Sequence, residues 1–266
     1  SVNGLLNNIT VAAASVAGVE KIYRVGGSQA IAAFALGTEQ IPKVDKIIGP
    51  GNKYVAEAKR QLYGEVGIDS IAGPSEIVVL SDDTSDPELV AWDLMAQAEH
   101  DVDASSVLVS CSDKVIKDVK EIINNEILYL ERKEIIKASL EKNGLIIKID
   151  SLQESLGIIN RLAPEHLHLA YDHNQNEQEE NFIAGLILKG ADSANSFSDY
   201  VLGPSHILPT NTSSRFSSPL SVEDFLVSYS YVSLDKTKDP KRFNEFISHT
   251  SKLAKAEGLS AHAIAA

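Results

Sequence analysis

The feature that most constrains the fold is a repeated alternation between short β-branched runs and longer helix-forming runs over residues 20–162. The pairs are KIYRVGG with SQAIAAFALG, KIIGPGN with KYVAEAKRQLYG, EIVVLSDD with TSDPELVAWDLMAQAEH, SSVLVSCS with the long run that begins DKVIKDV, and LIIKID with SLQESLGIINRLA. Strands that alternate with helices indicate βαβ units and a parallel sheet. EIVVL and SSVLV are almost continuously apolar, as expected of strands buried on both faces. The sequence therefore predicts an α/β fold.

Local signals place the boundaries of these elements. The stretch DSIAGPSE is the strongest candidate for a domain boundary, because one βα group ends there and another begins. Ser112-Asp113 and Asp150-Ser151 stand where helix N-caps are expected, and Gly144 closes a helix.

The alternation stops after about Pro164. Residues 172–198 include a very polar piece, DHNQNEQEEN, that we expect to be a surface loop or helix. LSVEDFLVSYSYVSLD predicts a helical turn followed by a strand, and residues 239–257 predict a C-terminal helix.

Composition excludes several classes of function. The 266 residues carry a formal net charge of −13 and a single cysteine, Cys111. The acidic balance argues against nucleic-acid binding, which needs a basic surface. One cysteine allows neither an intrachain disulfide nor a thiolate zinc cluster. No apolar run reaches membrane-spanning length and no secretory signal opens the chain, so we expect a cytoplasmic protein.

Two glycine-rich turns are candidates for phosphate binding. GG at 26–27 and GPGN at 49–52 each lie between a predicted strand and a predicted helix, and helix N-termini can bind phosphate through unpaired N–H groups. Neither turn matches G-x-G-x-x-G, and tight turns without a ligand explain them at least as well. Gln29 and Asn52 lie near helix starts, where they could hydrogen-bond a ligand or cap the helix.

Four other stretches carry polar residues suited to catalysis. AQAEHD ends a predicted helix, APEHLH follows another, SDYVLGPSHILPT is a rigid loop with two prolines, and EGLSAH lies near the end of the chain. Taken singly, each is explained as well by helix ends, a capping Glu, or a packed or solvated His. His168, two residues after His166, is expected only as a strand or loop partner.

Taken together, these stretches supply a plausible metal site. Gln97, His100, Asp199 and His262 offer one amide oxygen, two imidazoles and one carboxylate, which is a four-ligand zinc set without sulfur. The adjacent Glu165 and His166 remain for acid–base work, because both residue types can be tuned to titrate near neutral pH.

The same stretches resemble the histidinol dehydrogenase family. The matching motifs are VGGSQAIAAFALGTE, VDKIIGPGNKYVAEAKRQ, AGPSEIVVL, AQAEHD, APEHL, SDYVLGPSHILPT, RFSSPLSVEDF and EGLSAHAIA, in family order from about residue 20 to the end. The resemblance implies a homodimeric zinc enzyme of histidine biosynthesis that oxidises L-histidinol to L-histidine in two NAD-dependent steps. Ser205 stands where the family pattern leads us to expect Asn.

The resemblance also implies a role for each matching residue. The implied roles are zinc and substrate binding for Gln97, His100, Asp199 and His262, acid–base catalysis for Glu165 and His166 (with His166 also touching substrate), substrate binding for Ser75, His206 and Glu257, and NAD binding for Gln29 and Asn52. In the family the C-terminal tail crosses to the partner subunit, so Glu257 and His262 would complete the neighbouring chain's site.

The implied architecture is two incomplete, Rossmann-like parallel-sheet domains with a helical tail. We expect a partial NAD-side domain at 1–72, a catalytic domain with the zinc and acid–base residues at 73–222, and a C-terminal helical tail at 223–266. The family pattern implies a longer protein, with an N-terminal segment that precedes these residues.

Two other functions remain open on the sequence. The same metal set with Glu165 activating water would suit a zinc-dependent hydrolase. A truncated, non-catalytic zinc-binding dimer would also keep these residues. Zinc content fits all three interpretations, whereas NADH formation from histidinol distinguishes the dehydrogenase.

Overall fold

The computed structural model describes residues 6–172 and 181–266. The chain divides into two compact units, Ser1–Asp224 and Phe225–Ala266. Most of the very polar piece predicted as a surface loop or helix, residues 173–180, lies outside the described residues.

The first unit begins with a small α/β portion. Its elements are α1 (Asn8–Val16), α2 (Ser28–Leu36), β1 (Lys46–Ile47), α3 (Lys53–Leu62) and β2 (Gly67–Ile68). β1 and β2 are parallel and pair Lys46 with Gly67 and Ile47 with Ile68. A small core, centred on Ile31, Ala35, Ile47 and Val66, joins α2 and α3 to this two-stranded sheet.

The strand predicted in KIYRVGG is wrong. Residues 19–23 and 25–26 have no regular structure, Arg24 lies in a bend, and no described strand pairs with them. Ile22 and Val25 are 47% and 40% exposed, so the apolar run has no sheet to pack into. β-branched residues favour a strand only where a neighbouring strand supplies hydrogen bonds and packing.

A five-stranded parallel sheet forms the main body of the first unit. Its strands are β3 (Glu76–Ser81), β4 (Ser105–Ser110), β5 (Gly144–Lys148), β6 (His166–Leu169) and β7 (Leu186–Lys189), in the spatial order β5-β4-β3-β6-β7. The predicted α/β class with parallel sheets is confirmed. β3 is central, and its register pairs Ile77 with His166 and Val79 with His168.

Helices cover both faces of this sheet. They are α4 (Pro87–Ala98), α5 (Asp113–Glu126), α6 (Lys133–Asn143), α7 (Ser155–Leu162) and α8 (Asn195–Tyr200). Ile77 and Val79 pack with apolar residues of α4 and α5, whereas Val78 and Leu80 pack with Ile159 of α7. Because side chains alternate across a strand, the register puts His166 and His168 on the α4 face.

The predicted helix ends are confirmed only in part. Ser112 caps α5 as predicted, since its hydroxyl accepts from Val115 N at 3.3 Å. Ser151 precedes a short 3₁₀ helix, Leu152–Glu154, and makes no side-chain cap, which corrects the second N-cap prediction. Gly144 does follow α6, but in an extended conformation, because it begins β5.

The second unit holds α9 (Pro240–Ala256) and α10 (Ser260–Ala265). The C-terminal helix is confirmed, and the helical turn predicted in LSVEDF is present as the 3₁₀ helix Val222–Phe225. The strand predicted after it is wrong, because residues 226–235 have no strand partner in the described chain. No described helix is long and apolar enough to span a bilayer.

Candidate active site at the amino-terminal edge of the sheet

Glu165 and His166 lie where α7 passes into β6. Ala163 ends α7 in the left-handed conformation with φ of 42° and turns the chain towards the sheet. Pro164 and Glu165 then pair with the start of the neighbouring segment, since Gly185 N donates to Pro164 O at 2.9 Å and Leu186 N to Glu165 O at 2.8 Å. These two bonds fix the main chain at Pro164 and Glu165 against residues 185–186.

The carboxyl group of Glu165 is buried and neutral near pH 7. Its Oε2 atom accepts a hydrogen bond from Glu76 N at 2.9 Å. Burial raises the pKa of Glu165 from 4.5 to about 8; the bond from Glu76 N opposes this rise, and the carboxylates of Glu76 and Asp199 add to it. Glu165 therefore holds a proton that a suitable partner could receive.

His166 presents an unpartnered ring nitrogen. Its Nδ1 lies 3.2 Å from the carbonyl oxygen of Glu76, and because a carbonyl only accepts, Nδ1 carries the hydrogen. Burial lowers the pKa of His166, although the bond to Glu76 and the charge of Asp199 oppose the effect. Nε2 is buried and has no hydrogen-bond partner among the described residues. The neutral ring thus keeps a free lone pair for proton abstraction.

Gln97 offers a buried, unpartnered amide atom nearby on α4. Asn195 Nδ2 donates to Gln97 Oε1 at 3.2 Å, while Gln97 Nε2 and Asn195 Oδ1 are buried without partners in the described chain. Turning both amides by 180° keeps one hydrogen bond, now from Gln97 to Asn195, and makes Gln97 Oε1 the free atom. That free oxygen suits a bound cation, so this residue fits the predicted metal.

His100 and Asp199 affect the electrostatics of the same edge. His100 follows the end of α4 and is exposed, whereas Asp199 is half-buried on α8. Asp199 raises the pKa of both Glu165 and His166, and His100 lowers the pKa of His166. The structure therefore brings Asp199 within electrostatic reach of both Glu165 and His166, and His100 within reach of His166.

A complete metal cluster is not present within residues 6–172 and 181–266 of one chain. No three His, Cys, Asp or Glu side chains there lie close enough to hold an ion. The predicted set has only two such residues in the first unit, His100 and Asp199, since Gln97 is an amide. The oxygen and nitrogen donors nevertheless match those that zinc accepts.

Ser75 and His206 stand on loops that meet. Ser75 is half-buried just before β3, and its carbonyl oxygen accepts from Ser105 N at 2.9 Å. His206 is exposed on the loop after α8. Thr210 Oγ1 accepts from Gly73 N at 2.6 Å and so joins the two loops. In the described chain neither Ser75 nor His206 is hydrogen-bonded to Glu165 or His166.

Gln29 and Asn52 belong to the small two-stranded portion. Both are exposed near helix starts. Asn52 Oδ1 caps α3 by accepting from the main-chain N–H groups of residues 54 and 55 at 3.1 and 3.2 Å. Neither residue is hydrogen-bonded to the five-stranded sheet in the part of the chain that is described.

The remaining two predicted site residues belong to the second unit. Glu257 follows α9 as its C-cap, and His262 lies in α10. Both side chains are exposed.

Four residues that shape this edge were given no site role from the sequence, although His168 was expected as a strand partner and does lie in β6. Glu76 binds both Glu165 and His166 through its main chain. Asp93 and His168 form a buried pair with 2.6 Å between Oδ2 and Nδ1, and Asn195 binds Gln97. The sequence carried signals for two of them: Asp93 is a charged residue within the otherwise apolar run LVAWDLM, four residues before Gln97, and His168 shares a strand face with His166.

The fold and site define a class. The chain is a parallel-sheet α/β protein with a buried Glu-His pair at the start of β6 and, at the same edge, amide, imidazole and carboxylate groups of the kinds that zinc accepts. Ligand sites of open parallel sheets usually lie at the carboxyl ends of the strands. Here Glu76 and His166 are the first residues of β3 and β6, so the site is at the opposite, amino-terminal edge.

Comparisons with known proteins agree with this class. The family model of histidinol dehydrogenase matches residues 1–266. Histidinol dehydrogenases of Oceanobacillus iheyensis and Clostridium acetobutylicum are 47% and 48% identical over 98% of this chain. The crystal structure of histidinol dehydrogenase from Elizabethkingia anophelis superposes with a TM-score of 0.86 at 37% identity, over 95% of this chain. The chain belongs to the histidinol dehydrogenase family.

The match covers only part of each relative. This chain spans 60% of the length of the two curated relatives and 57% of the crystallised chain.

Proposed function

We propose that this chain carries the metal and acid–base centre of a histidinol dehydrogenase, which oxidises L-histidinol to L-histidine in two NAD-dependent steps. The observation that carries the proposal is that the buried Nε2 of neutral His166, beside Glu165, has no hydrogen-bond partner among the residues that the structure describes. Membership of the family and the free amide atom of Gln97 support it.

Gln97, His100 and Asp199 would hold zinc together with His262 of the partner subunit. The free buried amide atom and the Asp199 charge favour a cation here. When bound, zinc would supply Lewis-acid positioning of the substrate, and NAD would accept the hydride of each oxidation. Gln29 and Asn52 would contact NAD, and Ser75, His206 and Glu257 of the partner subunit would line the substrate pocket.

His166 would act as the base in the first oxidation. Its Nε2 takes the hydroxyl proton of the alcohol while the carbinol carbon loses hydride, which leaves an aldehyde. The bond from Nδ1 to Glu76 holds the ring in the tautomer that this step requires. Burial keeps the ring neutral, so it is ready to accept the proton.

Glu165 would act between the two oxidations. As a carboxylate it takes a proton from water while the water oxygen bonds to the aldehyde carbon, and His166 returns its proton to the former carbonyl oxygen. The resulting hydrate then loses hydride while His166 takes a hydroxyl proton, which yields the carboxylic acid. Because the pKa of Glu165 is raised to about 8, its basic form increases in alkaline solution.

The assembly we propose is a homodimer in which the tails are exchanged, located in the cytoplasm. The partner's tail would supply the fourth zinc ligand. The first unit holds three of the four proposed ligands. Zinc sites usually have four protein ligands, which supports a fourth ligand from outside this unit.

One assay tests the function directly. L-histidinol and NAD are mixed with the zinc-loaded chain, and NADH is followed by its absorbance. Formation of about two NADH for each histidine supports the dehydrogenase, because each oxidation transfers one hydride. Zinc binding without NADH would contradict it and favour the zinc hydrolase or the non-catalytic dimer.

A further inference from the structure

A buried hydrogen-bond network joins β6, α4 and α8 behind the predicted metal ligands. His168 Nδ1 lies 2.6 Å from Asp93 Oδ2, and His168 Nε2 lies 3.0 Å from Gly190 O. The other carboxylate oxygen, Asp93 Oδ1, accepts from Asn195 N at 3.0 Å. Asp93, His168 and Asn195 are 4%, 0% and 2% exposed, so water does not compete for these bonds.

The network connects to two of the residues that we propose as zinc ligands, to Gln97 by a hydrogen bond and to Asp199 through α8. The side chain of Asn195 binds Gln97 at 3.2 Å. Asn195 is also the first residue of α8, and Asp199 lies four residues later on the same helix face. Asp93 therefore fixes the helix that carries Asp199 against the helix that carries Gln97.

The hydrogen bonds of His168 explain why a carboxylate is suited to position 93. Gly190 O only accepts, so Nε2 donates to it, and the short contact at Nδ1 requires one proton shared with Asp93. The carboxylate keeps its second oxygen for Asn195 N. An alanine at 93 would lose both bonds and leave the Asn195 N–H and His168 Nδ1 buried without partners.

We propose that Asp93 and His168 are positioning residues that hold α8 on α4 and thereby set the distance between Gln97 and Asp199 for metal binding. The inference rests on the proposed zinc site. Residues that orient metal ligands from behind commonly change metal affinity about 10- to 100-fold when they are replaced. Neither Asp93 nor His168 touches substrate in this account.

The test compares Asp93→Ala with two matched variants of the same helix. In Asp93→Asn the amide can donate to His168 Nδ1 while its oxygen accepts from Asn195 N, so the network is kept without the charge. Leu94→Ala truncates a buried core residue of α4, 3% exposed, which lies outside the network. It controls for a general loss of stability.

Two readouts are measured on folded, full-length chains. We expect the zinc dissociation constant, from competition with a chelator, to rise about 10- to 100-fold in Asp93→Ala and to stay within about threefold in the other two variants. In the metal-free protein, amide hydrogen exchange of α8 should increase in Asp93→Ala but not selectively in Leu94→Ala.

Equal zinc affinity of the parent and Asp93→Ala, both folded, would overturn the positioning role. An equal loss of zinc affinity in Leu94→Ala would also overturn the positioning role, because any destabilisation of α4 would then be enough to weaken zinc binding. If the parent chain binds no zinc, the proposed function fails instead. Amide exchange of α8 then tests by itself whether Asp93 holds α8 on α4, and unchanged exchange in Asp93→Ala overturns that role.

Discussion

The ring of His166 is oriented by the main chain of Glu76, whose carbonyl oxygen lies 3.2 Å from Nδ1. β3 and β6 are adjacent parallel strands, and these two residues begin them. Orientation by main chain means that no substitution of the Glu76 side chain removes the bond directly. The tautomer with a free Nε2 is therefore built into the sheet.

Replacement of this histidine tests its role as the base. We expect His166→Asn to lower NADH production by about 10²–10⁴-fold, since general base catalysis contributes on that order. Zinc content should be retained, because His166 is not a proposed ligand. His249→Asn, on an exposed position of α9, is the matched control. Near-normal turnover of His166→Asn would remove His166 from the mechanism.

The raised pKa of Glu165 predicts a pH dependence of stability in the metal-free chain. Between pH 4.5 and about 8 the folded state keeps a proton that the unfolded state has lost, so the stabilisation from this group falls as pH rises through that window. Facing groups Glu76 and Asp199 reinforce the shift.

Glu165→Gln isolates this effect. As the pH rises through this window, the parent should lose unfolding free energy relative to Glu165→Gln by up to about 1.4 kcal/mol for each pH unit. Urea denaturation at several pH values measures it. A difference that is constant with pH, or that shifts in favour of the parent as the pH rises towards 8, would be inconsistent with a buried neutral carboxyl.

The buried ion pair of Lys59 and Asp69 should stabilise the small α/β portion of the first unit. Lys59 Nζ lies 2.6 Å from Asp69 Oδ1 and 2.5 Å from Gly49 O, and Gly49 N donates to Asp69 Oδ2 at 2.7 Å. Lys59→Met leaves Asp69 buried without its cation, so we expect a loss of about 3–5 kcal/mol in unfolding free energy. The pair also holds the GPGN turn, because both side chains bind main-chain atoms of Gly49.

The control for this prediction is Lys43→Met. Lys43 and Glu65 are 3.7 Å apart with side chains 52% and 66% exposed, so the change should be about 1 kcal/mol or less. Denaturant titration compares the variants. Equal losses in the two would show that burial of the Lys59–Asp69 pair has no special effect.

Exchange of the tails predicts complementation between inactive variants. We expect His262→Ala to bind less zinc and to turn over more slowly, because a proposed ligand is missing. Mixed dimers of His262→Ala with His166→Asn should regain part of the activity, since one of the two sites then has both residues intact. No recovery in a verified mixed dimer would argue against sharing of the site.

The sequence predicted the sheet better than the surroundings of the site. Strands such as Glu76–Ser81 are apolar on both faces, so their pattern alone identifies them. The run KIYRVGG also has β-branched and aromatic residues, but whether it forms a strand depends on a neighbour that local pattern does not reveal. The same reason applies to residues 226–235.

Residue motifs predicted site roles for Glu165, His166 and Gln97, but did not point to the residues that hold them. Asp93, His168 and Asn195 meet only because β6 lies beside β3 and α8 packs on α4. Their separations along the chain, 75 between Asp93 and His168 and 102 between Asp93 and Asn195, place this relationship beyond any local pattern. Main-chain groups, such as Glu76 N and O, leave no residue-type signal at all.

The most direct test of the account is the zinc content of the purified chain and its variants, measured by elemental analysis after removal of loosely bound metal. We expect about one zinc ion per chain, lost in Gln97→Ala and Asp199→Ala and retained in His166→Asn. A chain without zinc after loading, or zinc that persists in both ligand variants, would contradict it.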